Sequence, residues 1–134
     1  MSKFTIKLVE KGRCHIQHEL AKAEILTDRP PEYGGKGRSF SSTDLVSAAL
    51  GTCVMTSIDS IIGDEGLDIS SLKITVEKKL NPKTIEAIEL EIYYPQKLND
   101  KTIKRLKEAV YTSPVKLSLS EGISVNISFS NDWQ

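Results

Sequence analysis

The chain has 134 residues, with 18 basic and 18 acidic side chains and a formal net charge of zero. That length suits one domain, residues 1–134, able to bury a core without disulfides or metals. The balanced charge gives no electrostatic case for nucleic acid or an anionic membrane, and no apolar run approaches the roughly 20 residues of a membrane span.

The N-terminal stretch MSKFTIKLVEKG alternates charged and apolar residues and has no apolar signal region. Two cysteines, Cys14 and Cys53, are too few for a secreted disulfide framework. A cytoplasmic protein with reduced thiols is expected.

The first 28 residues read as strands. Phe4, Ile6 and Leu8 alternate with polar neighbours, as do Cys14, Ile16, His18 and Leu20 after a turn near Gly12. Ala23 and Ile25 suggest a third short strand ending near Thr27. Residues 29–41 hold two prolines and three glycines and read as a loop. Ser41-Ser42-Thr43-Asp44 then starts a helix: a Ser N-cap accepts from free amides, and an acid in the first turn suits the macrodipole. The helix is expected to run to about Ile62, with apolar or small residues on more than one face, the pattern of a buried helix at the centre of a fold.

Leu72, Ile74 and Val76 alternate in one strand and Ile88, Leu90, Ile92 and Tyr94 in the next, with Asn81-Pro82 at the hairpin connection. Asn99 or Asp100 can cap a second helix whose Ile103, Leu106 and Val110 form a core-facing stripe. Thr112-Ser113-Pro114 breaks it, Val115 to Leu119 suggests a short further helix, and Ile123, Val125, Ile127 and Phe129 suggest a last strand. The order of elements is α+β, not alternating βαβ units.

Cys53 is the most informative residue for chemistry. It lies about three turns inside the central helix, after Gly51 and Thr52. A free cysteine on an apolar helix face is commonly a small core residue. Gly51 points the other way: it costs about 1 kcal/mol against Ala in a helix interior, which is easier to explain if something must approach the helix beside the thiol. The helix N-terminus is too distant to activate that thiol, so a reactive Cys53 needs a cation from elsewhere. Arg13, Arg29 and Arg38 precede the helix and could fold over it, or could be solvated loop residues. Cys14 reads as half-buried strand packing, with a resolving thiol for Cys53 as the alternative. His15 and His18 are three apart in a strand and point to opposite faces, so they cannot jointly hold a metal. The glycines of Tyr33-Gly34-Gly35-Lys36-Gly37 do not form a phosphate-binding pattern. No cofactor and no metal are expected.

Asp28-Arg29-Pro30-Pro31-Glu32-Tyr33-Gly34-Gly35, then Phe40-Ser41-Ser42-Thr43-Asp44-Leu45, then Ala48-Ala49-Leu50-Gly51-Thr52-Cys53 together resemble the OsmC/Ohr family of hydroperoxide reductases. Ser113-Pro114-Val115 resembles that family's Cys-Pro-Val segment. The resemblance implies an intertwined homodimer with two interfacial sites, and a peroxidatic mechanism. A cysteine thiolate attacks an organic hydroperoxide, becomes a sulfenic acid, and is resolved by a second cysteine to a disulfide that a dithiol of the lipoyl or thioredoxin type reduces.

Three positions depart from the family pattern. Ser113 stands where the second cysteine would be, and a serine cannot form the disulfide, so Cys14 or an external thiol would have to resolve the sulfenic acid. The glutamate that the Ohr branch carries ten residues before its reactive cysteine is Thr43 here; Asp44, one residue on, is rotated by about 100° around the helix. The activating arginine implied by the resemblance matches Arg13, with Arg29 as the alternative. The expected function is a one-cysteine peroxidase centred on Cys53, active in the oxidative stress response. The alternative is a non-catalytic protein that binds an apolar or thiol-bearing ligand in the dimer cleft.

Overall fold

The computed structural model describes residues 2–122 and 126. Three antiparallel strands, β1 (Phe4–Glu10), β2 (Arg13–His18) and β3 (Glu24–Leu26), form one sheet. Helix α1 (Ser42–Asp64) follows, then the hairpin of β4 (Lys73–Leu80) and β5 (Ile85–Tyr93), then helices α2 (Asp100–Tyr111) and α3 (Pro114–Glu121). The described chain is α+β, with three helices and two small antiparallel sheets. The expected last strand, Ile123 to Phe129, lies outside the described residues. By proximity the chain groups into two compact units, Met1–Gly51 with Ile74–Glu91, and Thr52–Lys73 with Ile92–Gln134.

In the first unit the β1–β2 register pairs Ile6 with Ile16 and Leu8 with Cys14, and an irregularity between Leu8 and Glu10 brings Glu10 opposite Arg13. Gly12 makes the connecting turn with φ +77°, a left-handed conformation that suits glycine. The apolar side of β1 is not core: Phe4, Ile6 and Leu8 are 57%, 63% and 71% exposed. Alternation marks them as one face, as expected, but nothing in the described chain covers it.

The loop after β3 is held from inside. The buried Asp28 carboxylate accepts from the Arg38 backbone N–H at 2.9 Å and from its Nε at 2.7 Å. Arg38 also meets Glu10 through Nη2 at 3.0 Å, and Lys36 meets Glu10 at 3.3 Å. Arg29 is anchored by its backbone: its N–H donates to Gly12 at 2.9 Å, and its carbonyl accepts from Gly37 at 3.0 Å. A Cβ on Gly35 would collide with that carbonyl, so the Gly34-Gly35 pair answers a need of the loop's own backbone.

Helix α1 begins in a capping box. The Asp44 N–H donates to Ser41 Oγ at 3.1 Å, and the Ser41 N–H donates back to the Asp44 carboxylate at 2.9 Å. Leu50, Val54, Ile58 and Ile62, spaced by four, are the buried large apolar residues of the described chain. Thus α1 is buried along one stripe, while Val46 is exposed and Cys53, Met55 and Ile61 are half-buried. The sequence reading of a helix buried nearly all round is corrected for the chain taken alone. At 23 residues and a hydropathy of 1.7, α1 is also long and apolar enough by length and composition to cross a membrane, which the sequence reading excluded. The core helix of a soluble protein meets the same criterion, and the buried stripe and the polar cap have the character of a helix packed in protein.

The hairpin turn is closed by Asn81, whose side-chain oxygen accepts from the N–H groups of Lys83 at 2.9 Å and Thr84 at 2.7 Å. In the second unit, Asn99 caps α2 by accepting from the Thr102 N–H at 2.8 Å. The buried residue of α2 is Thr102, whose hydroxyl donates to Glu65 at 2.6 Å, and Arg105 Nη1 meets the other oxygen of that carboxylate at 2.9 Å. Ile103 is exposed and Leu106 and Val110 half-buried, so the expected core-facing stripe is only partly covered.

Candidate functional site

Cys53 is a free, half-buried thiol well inside α1. Its carbonyl accepts from the Ser57 hydroxyl at 2.9 Å and the Thr56 hydroxyl at 3.1 Å, in addition to the helix ladder. Gly51, two residues earlier, has a different reason from the one expected. A Cβ there would stand 2.9 Å from Cγ2 of Val76, so the close approach is by strand β4 of the same unit. The glycine is explained by packing and no longer argues for a ligand beside the thiol.

The three arginines differ in how their charge is committed. Arg38 is bound to two carboxylates, Asp28 and Glu10. Arg38 hydrogen bonding holds the Asp28 carboxyl down at about 2, against the opposing effect of burial. Arg29 donates from Nη1 to the Tyr33 carbonyl at 3.4 Å. Arg13, at the start of β2, has a buried Nε without a hydrogen-bond partner among the described residues.

Thr43, at the place of the Ohr-branch glutamate, is engaged by a residue that the sequence reading did not single out. The Lys78 ammonium, from β4, donates to Thr43 Oγ1 at 2.7 Å and Ser41 Oγ at 3.2 Å, and meets Asp44 Oδ1 at 2.7 Å. Burial raises the Asp44 carboxyl, and the Lys78 and Ser41 hydrogen bonds overcome that, leaving it lowered. Three acceptors match the three N–H groups of an ammonium, so Lys78 is satisfied and ties β4 to the helix start. The only available sequence signal was a lysine between apolar Val76 and Leu80 in a charged run, which reads as a solvated strand face.

Cys14, Arg29 and Thr43 line one cavity of about 890 Å³ in the first unit, with Arg13 outside its lining. Cys53 and Ser113 belong to the second unit. Ser113 is buried at the N-cap of α3, where a serine would ordinarily accept from a first-turn amide. Here its Oγ makes no capping bond and has no partner among the described residues. The segment that resembles Cys-Pro-Val therefore buries a hydroxyl as a thiol would be buried, without using its hydrogen-bonding capacity.

A family model described as OsmC-like protein matches residues 35–128. Among solved structures, the chain is similar to an osmotic stress induced and detoxification response protein from Psychrobacter arcticus 273-4, with 31% identity, 88% of each chain covered and a TM-score of 0.81. It has the same fold as an organic hydroperoxide resistance protein OsmC from Legionella pneumophila, with 14% identity, 89% of this chain and 88% of that one covered, and a TM-score of 0.62. An organic hydroperoxide resistance protein from Elizabethkingia anophelis is similar at 13% identity, with 88% and 86% covered and a TM-score of 0.62. No curated protein sequence gives a significant match. The family model spans most of the chain, including α1, Cys53 and the Ser113 segment, and the chain belongs to the OsmC-like protein family.

Proposed function

We propose that this OsmC-like protein is a cytoplasmic, thiol-dependent peroxidase that reduces organic hydroperoxides through one redox cysteine, Cys53. The observation that carries this reading is the family match over the segment holding Cys53, joined to a buried serine where a second cysteine would stand. The names of the Legionella and Elizabethkingia proteins, both organic hydroperoxide resistance proteins, point to the substrate class.

The chemistry balances with one cysteine. The Cys53 thiolate attacks the terminal peroxide oxygen, the O–O bond breaks, and the alkoxide takes a proton and leaves as alcohol. The resulting sulfenic acid condenses with an external thiol, releasing water and forming a mixed disulfide. A second thiol then frees Cys53 and leaves as the oxidised disulfide. Two electrons pass from two thiols to one peroxide. Arg13 is the preferred activating cation, because its Nε has no other partner among the described residues; Arg29 is the alternative. Cys14 as resolver remains the second route to the same cycle.

The active form in this reading is a homodimer. Its support is the small set of buried large apolar residues among the described ones, Leu50, Val54, Ile58 and Ile62, beside the exposed Phe4, Ile6 and Leu8. Apolar surface of that kind is commonly an interface.

A second reading, a non-catalytic protein binding an apolar or thiol-bearing ligand in the dimer cleft, is favoured by one observation: the place of the Ohr-branch carboxylate is held by a neutral Thr43, whose hydroxyl is already engaged by Lys78. The two are separated by treating wild type and Cys14→Ser with cumene hydroperoxide and following each thiol by mass spectrometry. Rapid formation of one sulfenic acid at Cys53 in both proteins supports the one-cysteine peroxidase. A Cys14–Cys53 disulfide in wild type alone makes Cys14 the resolver. A Cys53 that stays reduced under excess peroxide removes the peroxidase reading and leaves the binding protein.

A further inference from the structure

Side chains that accept from the backbone N–H three residues on recur in this chain. Ser41 accepts from Asp44 at 3.1 Å, Asn81 from Thr84 at 2.7 Å and Asn99 from Thr102 at 2.8 Å. In the β2–β3 turn the acceptor is an imidazole: His18 Nδ1 accepts from the Ala21 N–H at 2.9 Å. A hydroxyl or amide oxygen accepts throughout the neutral range. An imidazole nitrogen accepts only while it keeps its lone pair, and imidazole is the side chain whose ordinary protonation lies nearest neutral pH.

The turn that His18 closes holds strain. Lys22 has φ +59°, a left-handed backbone that a side chain disfavours, and among the described residues other than glycine it is the one with positive φ. Its N–H donates to the His18 carbonyl at 3.0 Å, and the His18 N–H donates to the Ala23 carbonyl at 2.9 Å. The same turn is tied to β1. The Glu19 N–H donates to the Lys3 carbonyl at 3.0 Å, and the His18 ring centre lies 5.1 Å from that of Phe4, its register partner. Of the charged groups nearby, β1 brings Lys3 and the turn brings Glu19 and Lys22; none makes an ion pair with the imidazole among the described residues. Glu24 of β3 meets His15 instead, at 3.4 Å, on the opposite face of β2.

We propose that His18 is a proton-operated latch: the neutral ring closes the β2–β3 turn against β1, and protonation opens it. A proton on Nδ1 sets one N–H against another, so the bond to Ala21 is lost. The strained Lys22 then loses one of its holds, and the Glu19–Lys3 bond that ties the turn to β1 loosens with it. Every residue of the device belongs to the first unit, and the device requires neither redox chemistry at Cys53 nor the proposed dimer.

Amide hydrogen exchange on the full chain, followed by NMR between about pH 8 and pH 5, tests this. Each rate is compared with that of an unstructured chain at the same pH, which gives a protection factor. Protection at Ala21 and Glu19 should fall about fivefold on acidification in the wild type. In His18→Asn it should change by less than about twofold, because the asparagine oxygen accepts as that of Asn81 does, without titrating. Thr84, in the Asn81 turn, is the internal control and should not respond. A long-range nitrogen–proton spectrum of the wild type at the alkaline end should place the ring proton on Nε2. Protection at either amide that ignores pH, an equal fall in His18→Asn, or a ring proton on Nδ1 overturns the proposal. The wild-type series and the ring spectrum need no variant, so they decide the question even if His18→Asn does not fold.

Discussion

Gly51 in α1 and Val76 in β4 are placed so that a side chain on the first would stand 2.9 Å from Cγ2 of the second. Valine is stiff at χ1, so the methyl cannot swing aside cheaply. Gly51→Ala should gain up to about 1 kcal/mol of helix propensity and lose more to overpacking, for a net cost of about 1–2 kcal/mol. In a Val76→Ala background the same substitution should become neutral or stabilising. Urea denaturation of the four proteins of this cycle measures the coupling; additive effects would mean that the two residues do not compete for the same space.

Asp28 and Arg38 give the protein an acid-sensitive loop. The folded Asp28 carboxyl lies at about 2, below its ordinary 3.8, so its contribution is complete above the ordinary value and is lost as pH falls through 3.8 towards 2. Asp28→Asn should destabilise the protein at neutral pH and flatten the decline of stability in that acid window. Thermal melts of both proteins from neutral pH down to the acid limit test this. Parallel curves would assign the acid sensitivity to other carboxylates.

The buried, unpartnered hydroxyl of Ser113 predicts the effect of replacing it. Ser113→Cys and Ser113→Ala each remove an unsatisfied hydroxyl and should raise stability by about 1 kcal/mol. For Ser113→Cys, the proposed peroxidase should also turn over faster with dithiols, because a resolving thiol becomes available. Calorimetry reads the first effect and a peroxide-consumption assay the second. A gain in stability without a gain in turnover would mean that position 113 is a family-like burial site but not a working partner of Cys53.

Arg13 and Arg29 are distinguished by rate. Under the proposed mechanism the activating cation stabilises the attacking Cys53 thiolate, and removing it leaves less thiolate to react. Arg13→Gln should slow Cys53 oxidation by about tenfold or more, and Arg29→Gln by much less. Stopped-flow oxidation by cumene hydroperoxide across pH 6 to 9 measures both, and rates that converge at high pH would assign the loss to the thiol's ionisation. The reverse ranking would make Arg29 the activator.

Much of the fold was legible because local rules decide it. The capping box of Ser41 and Asp44, the Asn81 turn and the Asn99 cap each rest on a polar side chain whose partners lie within a few residues. Burial was less legible, because it depends on what covers each face. Alternation correctly grouped Phe4, Ile6 and Leu8, but nothing in the periodicity says whether the group faces its own chain. The candidate site was half legible. Cys53 and Ser113 were singled out through motif resemblance, whereas Lys78 engages Thr43 across 35 positions of sequence, where a lysine on a strand resembles any solvated lysine. Gly51 was read as an opening for a ligand, because sequence cannot tell a ligand's approach from that of a neighbouring strand.

Strand β1 is at the edge of the first sheet and also carries the exposed apolar row. An edge with free backbone groups and an uncovered apolar face is a template for wrong pairing. Most proteins aggregate more as they are concentrated. In the proposed dimer this edge belongs to the part that is protected by association, so the hazard grows as the protein is diluted and single chains become common. Losses to vessel walls and slow precipitation at low concentration, with a melting temperature that climbs on concentrating, are the handling behaviour that this one strand implies.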